Sequence, residues 1–162
     1  MSAGNAVVSA VEARLADLGL TLPEVVPPLG SYVPAVISGS YVYTSGQLPL
    51  IEGKLPASGR VGVPGGVSAE TAASLAATCA VNALAAIKSQ IGDLDRVTRI
   101  VKVVGFVASD PSFTGQPAVV NGASNLLGAV FGDAGTHARS AVGVAALPLD
   151  SPVEVEVIAE FV

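Results

Sequence analysis

Residues 153–162 read Val-Glu-Val-Glu-Val-Ile-Ala-Glu-Phe-Val, and this pattern is the clearest indication of the class of fold. Apolar residues occupy every second position from 153 to 161, whereas Glu154, Glu156 and Glu160 share the alternate positions. Because successive side chains of a strand point to opposite faces, this spacing predicts a strand with one apolar and one acidic face. The pattern therefore predicts a sheet that has one buried face.

Helical patterns occur upstream of that strand. Ser68 is a predicted N-cap, Glu70 suits the positive first turn, and apolar residues then repeat at helical spacing until Gly92. A shorter helix is predicted over residues 5–18, because Val8, Val11, Leu15 and Leu18 recur at spacings of three and four before Gly19. A third helix is predicted within residues 117–131.

Strand patterns complete the order of elements. Ser38-Gly39-Ser40 separates two β-rich runs and predicts a hairpin, and Pro148 to Pro152 joins the last two runs in a predicted closing hairpin. The predicted strands cover 32–36, 41–44, 97–107, 140–147 and 153–162. The resulting order ββαβαββ, after an N-terminal helix, predicts an α+β fold with the helices on one face of a mixed sheet.

Composition limits the kinds of partner. With 51% hydrophobic and 13% charged residues, a chain of 162 residues fits one domain whose apolar surface is partly hidden in a homo-oligomer. Gly, Pro or charged residues interrupt the apolar stretches, so none of these stretches reaches the ~18 residues that a membrane span requires. A net charge of −5, only 8 Lys and Arg residues and no Trp argue against a nucleic acid partner. The single Cys79 and the lack of a signal-peptide pattern predict a cytoplasmic protein.

Several candidate sites have simpler structural interpretations. The Gly-rich segment 59–66 lacks the Lys-Ser/Thr of a phosphate loop and is interpreted as part of an irregular surface loop over 51–67. Cys79 lies on the apolar stripe of a helix and is interpreted as a core residue. His137, the only histidine, is either an acid–base group or a loop or interface residue. One His and one Cys predict that the chain binds no metal.

Arg139 is the most informative residue of the chain. It begins an apolar strand just after the turn at 135–138, where a guanidinium is costly to desolvate unless an anion meets it. One interpretation is an ion pair with Glu154 or Glu156 on the neighbouring strand of the predicted hairpin. The other is a ligand carboxylate held by the bidentate fork of the guanidinium. The pattern alone leaves both open.

Five short motifs together resemble one known family. They are Gly30-Ser31-Tyr32, Thr44-Ser45-Gly46-Gln47-Leu48-Pro49, Ala138-Arg139-Ser140, Leu147-Pro148 and Val153-Glu154-Val155-Glu156. In this order they are similar to the RidA (YjgF-type) family, whose members also carry the label endoribonuclease L-PSP. The resemblance covers residues 27–162, and residues 1–26 are predicted to form a preceding helix and linker.

The resemblance implies a chorismate-mutase-like α+β fold and a homotrimer with ligand clefts between subunits. It implies hydrolysis of reactive 2-imino acids to 2-keto acids and ammonia without a cofactor. Arg139 would bind the substrate carboxylate and Glu154 would position the hydrolytic water. The further residues implied to bind substrate are Tyr32, Ser45, Gly46, Asn121 and Ala141.

This chain also departs from the short members of that family. Ala141 stands where a cysteine is often found, and the N-terminal helix and the 51–67 loop are additional segments. Two other functions therefore stay open beside imine hydrolysis. One is a non-catalytic protein of the same fold that binds a keto acid or another small carboxylate, and the other is an endoribonuclease.

Overall fold

The computed structural model describes residues 9–162 and contains three helices and five strands in the predicted order. Short 3₁₀ turns follow α2, α3 and β4, at Leu94–Arg96, Gly132–Gly135 and Pro148–Asp150. The α+β class is confirmed. The main elements are α1 (Ala10–Asp17), β1 (Ala35–Ser38), β2 (Tyr41–Thr44), α2 (Ala69–Ile91), β3 (Val97–Ala108), α3 (Gln116–Phe131), β4 (Ala138–Val144) and β5 (Val153–Phe161).

The five strands form one mixed sheet in the order β1-β2-β5-β3-β4. The predicted closing hairpin between the last two strands was wrong, because β4 pairs in parallel with β3 and β5 lies between β2 and β3. Strand β3, helix α3 and strand β4 form a βαβ unit, and such a crossover makes its two strands parallel. Residues 145–152 then cross the end of β3, where the Ala108 N–H donates to the Pro152 carbonyl at 3.0 Å.

Both long helices pack on the same face of the sheet, as predicted. Helix α2 contacts β2 and β5, and α3 contacts β3 and β4. The apolar positions of β5 alternate with half-buried glutamates, and Val153, Val155, Val157 and Ala159 are at most 1% exposed. Cys79 is fully buried beneath them, and this burial raises the pKa of its thiol well above the ordinary value. The core interpretation of Cys79 is confirmed.

The predicted bounds of α2 are confirmed by its caps. The Thr71 N–H donates to Ser68 Oγ at 3.1 Å, and Gly92 ends the helix with φ +83°. The prediction that no segment resembles a membrane span was wrong for this helix, whose most apolar window has a mean hydropathy of 1.3. Since 67% of that window is buried inside the protein, α2 is the core helix of the domain.

Two predicted strands are displaced by a few residues. Strand β1 begins at Ala35 rather than residue 32, because Pro34 has no N–H for the ladder, and it continues to Ser38, which pairs with Tyr41. Strand β4 spans residues 138–144 rather than 140–147, since the chain leaves the sheet after Val144 to cross β3. Arg139 consequently lies within a strand and not before it.

The 51–67 segment is irregular, as predicted, but it is tied to the end of β3. Val61 is 1% exposed, and its N–H donates to the Ala108 carbonyl at 2.8 Å. The Val61 carbonyl accepts from the Asp110 N–H at 2.9 Å. The interpretation as a surface loop therefore holds for its glycines and not for Val61, whose apolar side chain joins the core.

Helix α1 is held against the 3₁₀ turn that follows α2. The Asp95 carboxylate accepts from the Ser9 hydroxyl at 2.7 Å and from the Ala10 and Val11 N–H groups at 2.8 and 3.0 Å. Val11 and Leu15 are buried, whereas Leu18, predicted on the same apolar face, is exposed because the helix ends at Asp17. The predicted start of this helix, residues 5–8, lies outside the described residues.

Candidate functional site

Arg139 points from β4 toward α3, where three groups hold its guanidinium. It pairs in register with the buried Val103 of β3, so both side chains lie on the helix-covered face of the sheet. Its Nη1 donates to Asn121 Oδ1 at 2.7 Å and to Ser124 Oγ at 3.2 Å, and its Nη2 donates to the Pro117 carbonyl at 3.3 Å. Asn121, which the resemblance implies to be a substrate-binding residue, is thus hydrogen-bonded to Arg139.

The guanidinium has no carboxylate partner within residues 9–162. The ion pair found among these residues joins Lys88 to Glu12 and does not involve Arg139. The alternative of a pair with Glu154 or Glu156 was wrong, because β3 separates β4 from β5. Three of the five N–H donors of Arg139 are used, so Nε–H and one Nη2–H are without a partner among the described residues. Two donors on adjacent nitrogens match the bidentate requirement of a carboxylate.

Ser124 and His137 extend this cluster, and Ser124 is a residue that the sequence analysis missed. The Ser124 hydroxyl lies 2.9 Å from Nε2 of His137, whose Nδ1 lies 2.6 Å from the Gly135 carbonyl oxygen. Ser124 follows Asn121 by three residues on α3 and therefore shares its helix face. That spacing was a signal available in the sequence once Asn121 had been singled out.

Glu154 and Gly46 form a second cluster at the start of β5. Gln47 and Val155 exchange two backbone hydrogen bonds, 2.8 and 3.1 Å long, which bring Gly46 beside Glu154. A Cβ atom at position 46 would lie 2.7 Å from Cδ of Glu154, so any residue other than glycine would force the Glu154 side chain to move. Partial burial raises the pKa of Glu154, and the nearby Glu156 raises it further.

Tyr32 and Ser45 belong to the second cluster. The Tyr32 hydroxyl accepts from the Leu29 N–H at 3.0 Å, and the Ser45 hydroxyl donates to the Val33 carbonyl at 2.6 Å. Tyr32 and Gly46 line one cleft of about 20 Å³, which has room for a water molecule but not for an amino acid. Tyr32 is 48% exposed at the rim of this cleft.

The two clusters are not brought together within one chain. Arg139 pairs with Val103 on the helix-covered face, and Ala141 lies two residues further along the same face of β4. Glu154 pairs with Phe106 on the opposite, open face, one strand further across the sheet. A small ligand in contact with Arg139 therefore cannot reach Glu154 of the same chain.

A larger groove of about 780 Å³ runs between residues 20–27, the turn at 50–53 and the outer side of α2. None of the predicted site residues lines this groove. We place the candidate site at the two clusters, because they contain the residues that the resemblance implies, including Arg139 with two N–H donors unpaired among the described residues.

Both the sequence and the structure of this protein are similar to those of known proteins. The family described as "YjgF/chorismate mutase-like, putative endoribonuclease" matches residues 12–161. Protein TCP17 of Trypanosoma cruzi is 44% identical over 151 residues, which are 93% of each chain. The crystal structure of Atu1372 from Agrobacterium tumefaciens, a protein of unknown function, is 46% identical and covers 94% of each chain with a TM-score of 0.87.

A more distant relative was crystallised with a ligand. TdcF of Escherichia coli, with bound serine, is 25% identical and has a TM-score of 0.60. The alignment covers 86% of this chain and 94% of TdcF. The match of the family to nearly the whole chain, together with these relatives, establishes that this protein belongs to the YjgF/RidA family.

Proposed function

We propose that this protein is an imine deaminase, which hydrolyses small 2-imino acids to 2-keto acids and ammonia. The observation that carries the proposal is the Arg139 guanidinium, which Asn121, Ser124 and Pro117 hold while two of its N–H donors stay unpaired in the described part of the chain. A carboxylate would satisfy both donors. The serine bound to TdcF supports a ligand of this chemical class, because serine is a small molecule with the same α-carboxylate.

Glu154 is suited to handle the water of this reaction. Its pKa is raised by partial burial, so the carboxylate is a better base than that of an exposed glutamate. Water adds to C2 of the protonated imine while Glu154 takes one of its protons. Glu154 then returns this proton to the nitrogen of the carbinolamine. As the C–N bond breaks and ammonia leaves, the carbinolamine hydroxyl gives its proton to the Glu154 carboxylate, and the 2-keto acid forms; ammonia takes up that proton and regenerates the carboxylate.

A complete site requires a second copy of the chain. Because Arg139 and Glu154 lie on opposite faces of one sheet, the Arg139 cluster of one copy must meet the Glu154 cluster of another. Large apolar side chains are exposed on the open face of the sheet, including Val36 at 49% and Val142 at 43%. We propose that a homotrimer covers this face and forms the clefts at its subunit boundaries.

We also propose that the reaction takes place in the cytoplasm and that residues 27–162 supply the whole site. Cys79 is unpaired and buried, which suits a reducing compartment. Tyr32 and Glu154, near the two ends of that range, both belong to the second cluster.

The test couples purified protein to a threonine dehydratase, which releases 2-iminobutyrate, and follows decay of the imine. Wild type should accelerate the decay, whereas Arg139→Ala and Glu154→Gln should not. Glu160→Gln, on the same face of β5 but at its far end, is the matched control and should retain activity. An intact wild-type trimer that gives no acceleration over buffer would contradict the proposal.

The alternative is a non-catalytic protein that binds a keto acid or another small carboxylate at the same cleft. The serine bound to TdcF favours this possibility, since serine is an amino acid and not an imine. In that case 2-ketobutyrate should raise the melting temperature of wild type but not of Arg139→Ala, and no turnover should be observed.

Endoribonuclease activity, which the family description mentions, is a weaker alternative. With 13 acidic and 8 basic residues, the chain repels a phosphate backbone overall, and one histidine cannot form a His pair for acid–base cleavage. RNA cleavage that persisted in Arg139→Ala, or that further purification removed, would indicate a contaminating nuclease.

A further inference from the structure

His137 lies at one end of a hydrogen-bonded chain that leads to Arg139. Nδ1 of His137 is 2.6 Å from the Gly135 carbonyl oxygen, and Nε2 is 2.9 Å from Ser124 Oγ. Ser124 Oγ in turn accepts from Arg139 Nη1 at 3.2 Å. All three side chains are half-buried, so the chain is partly shielded from water.

The direction of each hydrogen bond follows from what each group can donate. A carbonyl oxygen only accepts, so the proton of a neutral His137 must be on Nδ1. Nε2 then has a lone pair, and the Ser124 hydroxyl donates its hydrogen to it. The lone pairs of Ser124 Oγ are thereby left for Arg139, whose N–H groups can only donate.

The fixed orientation of the Ser124 hydroxyl restrains the Arg139 guanidinium. A serine hydroxyl rotates freely unless an acceptor fixes it, and an arginine side chain loses much rotamer freedom when a ligand immobilises it. A guanidinium already held on one side has less freedom to lose on binding, which increases affinity.

We propose that His137 is a positioning residue, which acts through Ser124 to hold the Arg139 guanidinium for a small carboxylate. This inference rests on the proposed carboxylate-binding role of Arg139. It assigns His137 a role that is neither that of an acid–base catalyst nor that of a loop residue without function.

The tautomer of His137 tests the chain of hydrogen bonds without any ligand. Because His137 is the only histidine, the imidazole ¹⁵N NMR spectrum of the uniformly labelled protein contains the signals of this residue alone. We expect Nδ1 to be protonated and Nε2 to be unprotonated at pH 8. Protonation at Nε2 would overturn the proposal, since Ser124 could then not donate to it.

Affinity for 2-ketobutyrate tests the consequence for Arg139. Isothermal titration should show binding about tenfold weaker in Ser124→Ala, which loses a hydrogen bond to the charged Arg139. His137→Ala should weaken binding by a similar factor, because the Ser124 hydroxyl then has no acceptor that keeps its lone pairs directed to Arg139. His137→Gln should restore affinity to within about threefold of wild type, because its amide oxygen can accept from Ser124. The matched control is Ser74→Ala, on the exposed side of α2, which should bind as wild type does.

Three outcomes separate this inference from the proposed function. If wild type does not bind 2-ketobutyrate, the proposal that Arg139 binds a carboxylate is wrong. The positioning role of His137 is then tested by the rotation rate of the Arg139 guanidinium, measured by ¹⁵N NMR. Faster rotation in Ser124→Ala and His137→Ala than in wild type would support it. Unchanged rotation, or equal affinity of wild type and both alanine variants, would overturn it.

Discussion

Gly46 lies directly against the carboxyl group of Glu154, and a Cβ atom at position 46 would be 2.7 Å from Cδ of that residue. The backbone bonds between Gln47 and Val155 prevent position 46 from moving away. The glycine therefore sets where the half-buried carboxylate lies, which links the Ser-Gly-Gln segment to the Val-Glu-Val-Glu segment more than 100 residues later.

Gly46→Ala should displace the Glu154 carboxylate from this position. We expect at least a tenfold loss of imine turnover with little change in the affinity for 2-ketobutyrate, because Arg139 belongs to the other cluster. Steady-state kinetics and isothermal titration on the same preparation measure the two effects. Turnover equal to wild type would show that the reaction does not depend on the position of Glu154.

Glu154→Gln should abolish turnover and stabilise the fold at neutral pH. The raised pKa means that the folded state binds the Glu154 proton more tightly than the unfolded chain does, so folded-state stability falls as pH rises through that pKa. A neutral amide avoids this cost, and we expect a melting temperature about 1–3 °C higher at pH 7. The difference should vanish below pH ~4, where both side chains are neutral. A lower melting temperature at pH 7 would contradict this prediction.

Arg139→Lys should weaken 2-ketobutyrate binding by at least about tenfold, although the charge is kept. A lysine offers a single ammonium group, which can neither bridge Asn121, Ser124 and Pro117 nor present a bidentate fork. Isothermal titration measures the change. The control is Arg99→Lys, at an exposed position of β3, where affinity should be unchanged.

Asp95→Asn should loosen helix α1 from the domain. The hydrogen bonds from the Val11 and Ala10 N–H groups and from the Ser9 hydroxyl lower the pKa of Asp95, so its stabilising effect is present above the ordinary Asp pKa of about 3.9 and is lost as pH falls through the lowered value. Amide hydrogen exchange over residues 10–17 should be faster in the variant at pH 7, whereas the core of α2 should exchange as in wild type. Equal protection of α1 would contradict the capping role of Asp95.

Gly122→Ala should destabilise the packing of α3 on α2. A Cβ atom at position 122 would lie 2.6 Å from the Ala73 carbonyl carbon, and backbone on a neighbouring helix cannot move aside cheaply. We expect a loss of about 1–3 kcal/mol in the free energy of unfolding, measured by urea denaturation. Gly128→Ala on the same helix is the control, because its Cβ would meet no atom within 4 Å, and it should be neutral or stabilising.

Much of the fold and part of the site could be predicted from local patterns. The caps Ser68 and Gly92 and the alternation of residues 153–161 specify α2 and β5 by short-range geometry, and both were confirmed. The resemblance named both Asn121 and Arg139 as substrate-binding residues, and the structure shows a hydrogen bond between them. Ser124 was missed although its spacing from Asn121 places both residues on one face of α3, and Pro117 was missed because a backbone carbonyl that accepts from a distant strand leaves no signal in the sequence.

The segments that form helices and strands, and the apolar face of β5, could be predicted from the amino-acid sequence, since these features follow from the spacing of neighbouring residues. The position of β5 between β2 and β3, and the location of Arg139 and Glu154 on opposite faces of the sheet, are known only from the three-dimensional fold. Strand order depends on hydrogen bonds between residues far apart in the chain and on the crossover of α3. For that reason the local pattern could not choose between an ion pair and a ligand anchor for Arg139, whereas the structure places its guanidinium against α3, with two N–H donors unpaired among residues 9–162.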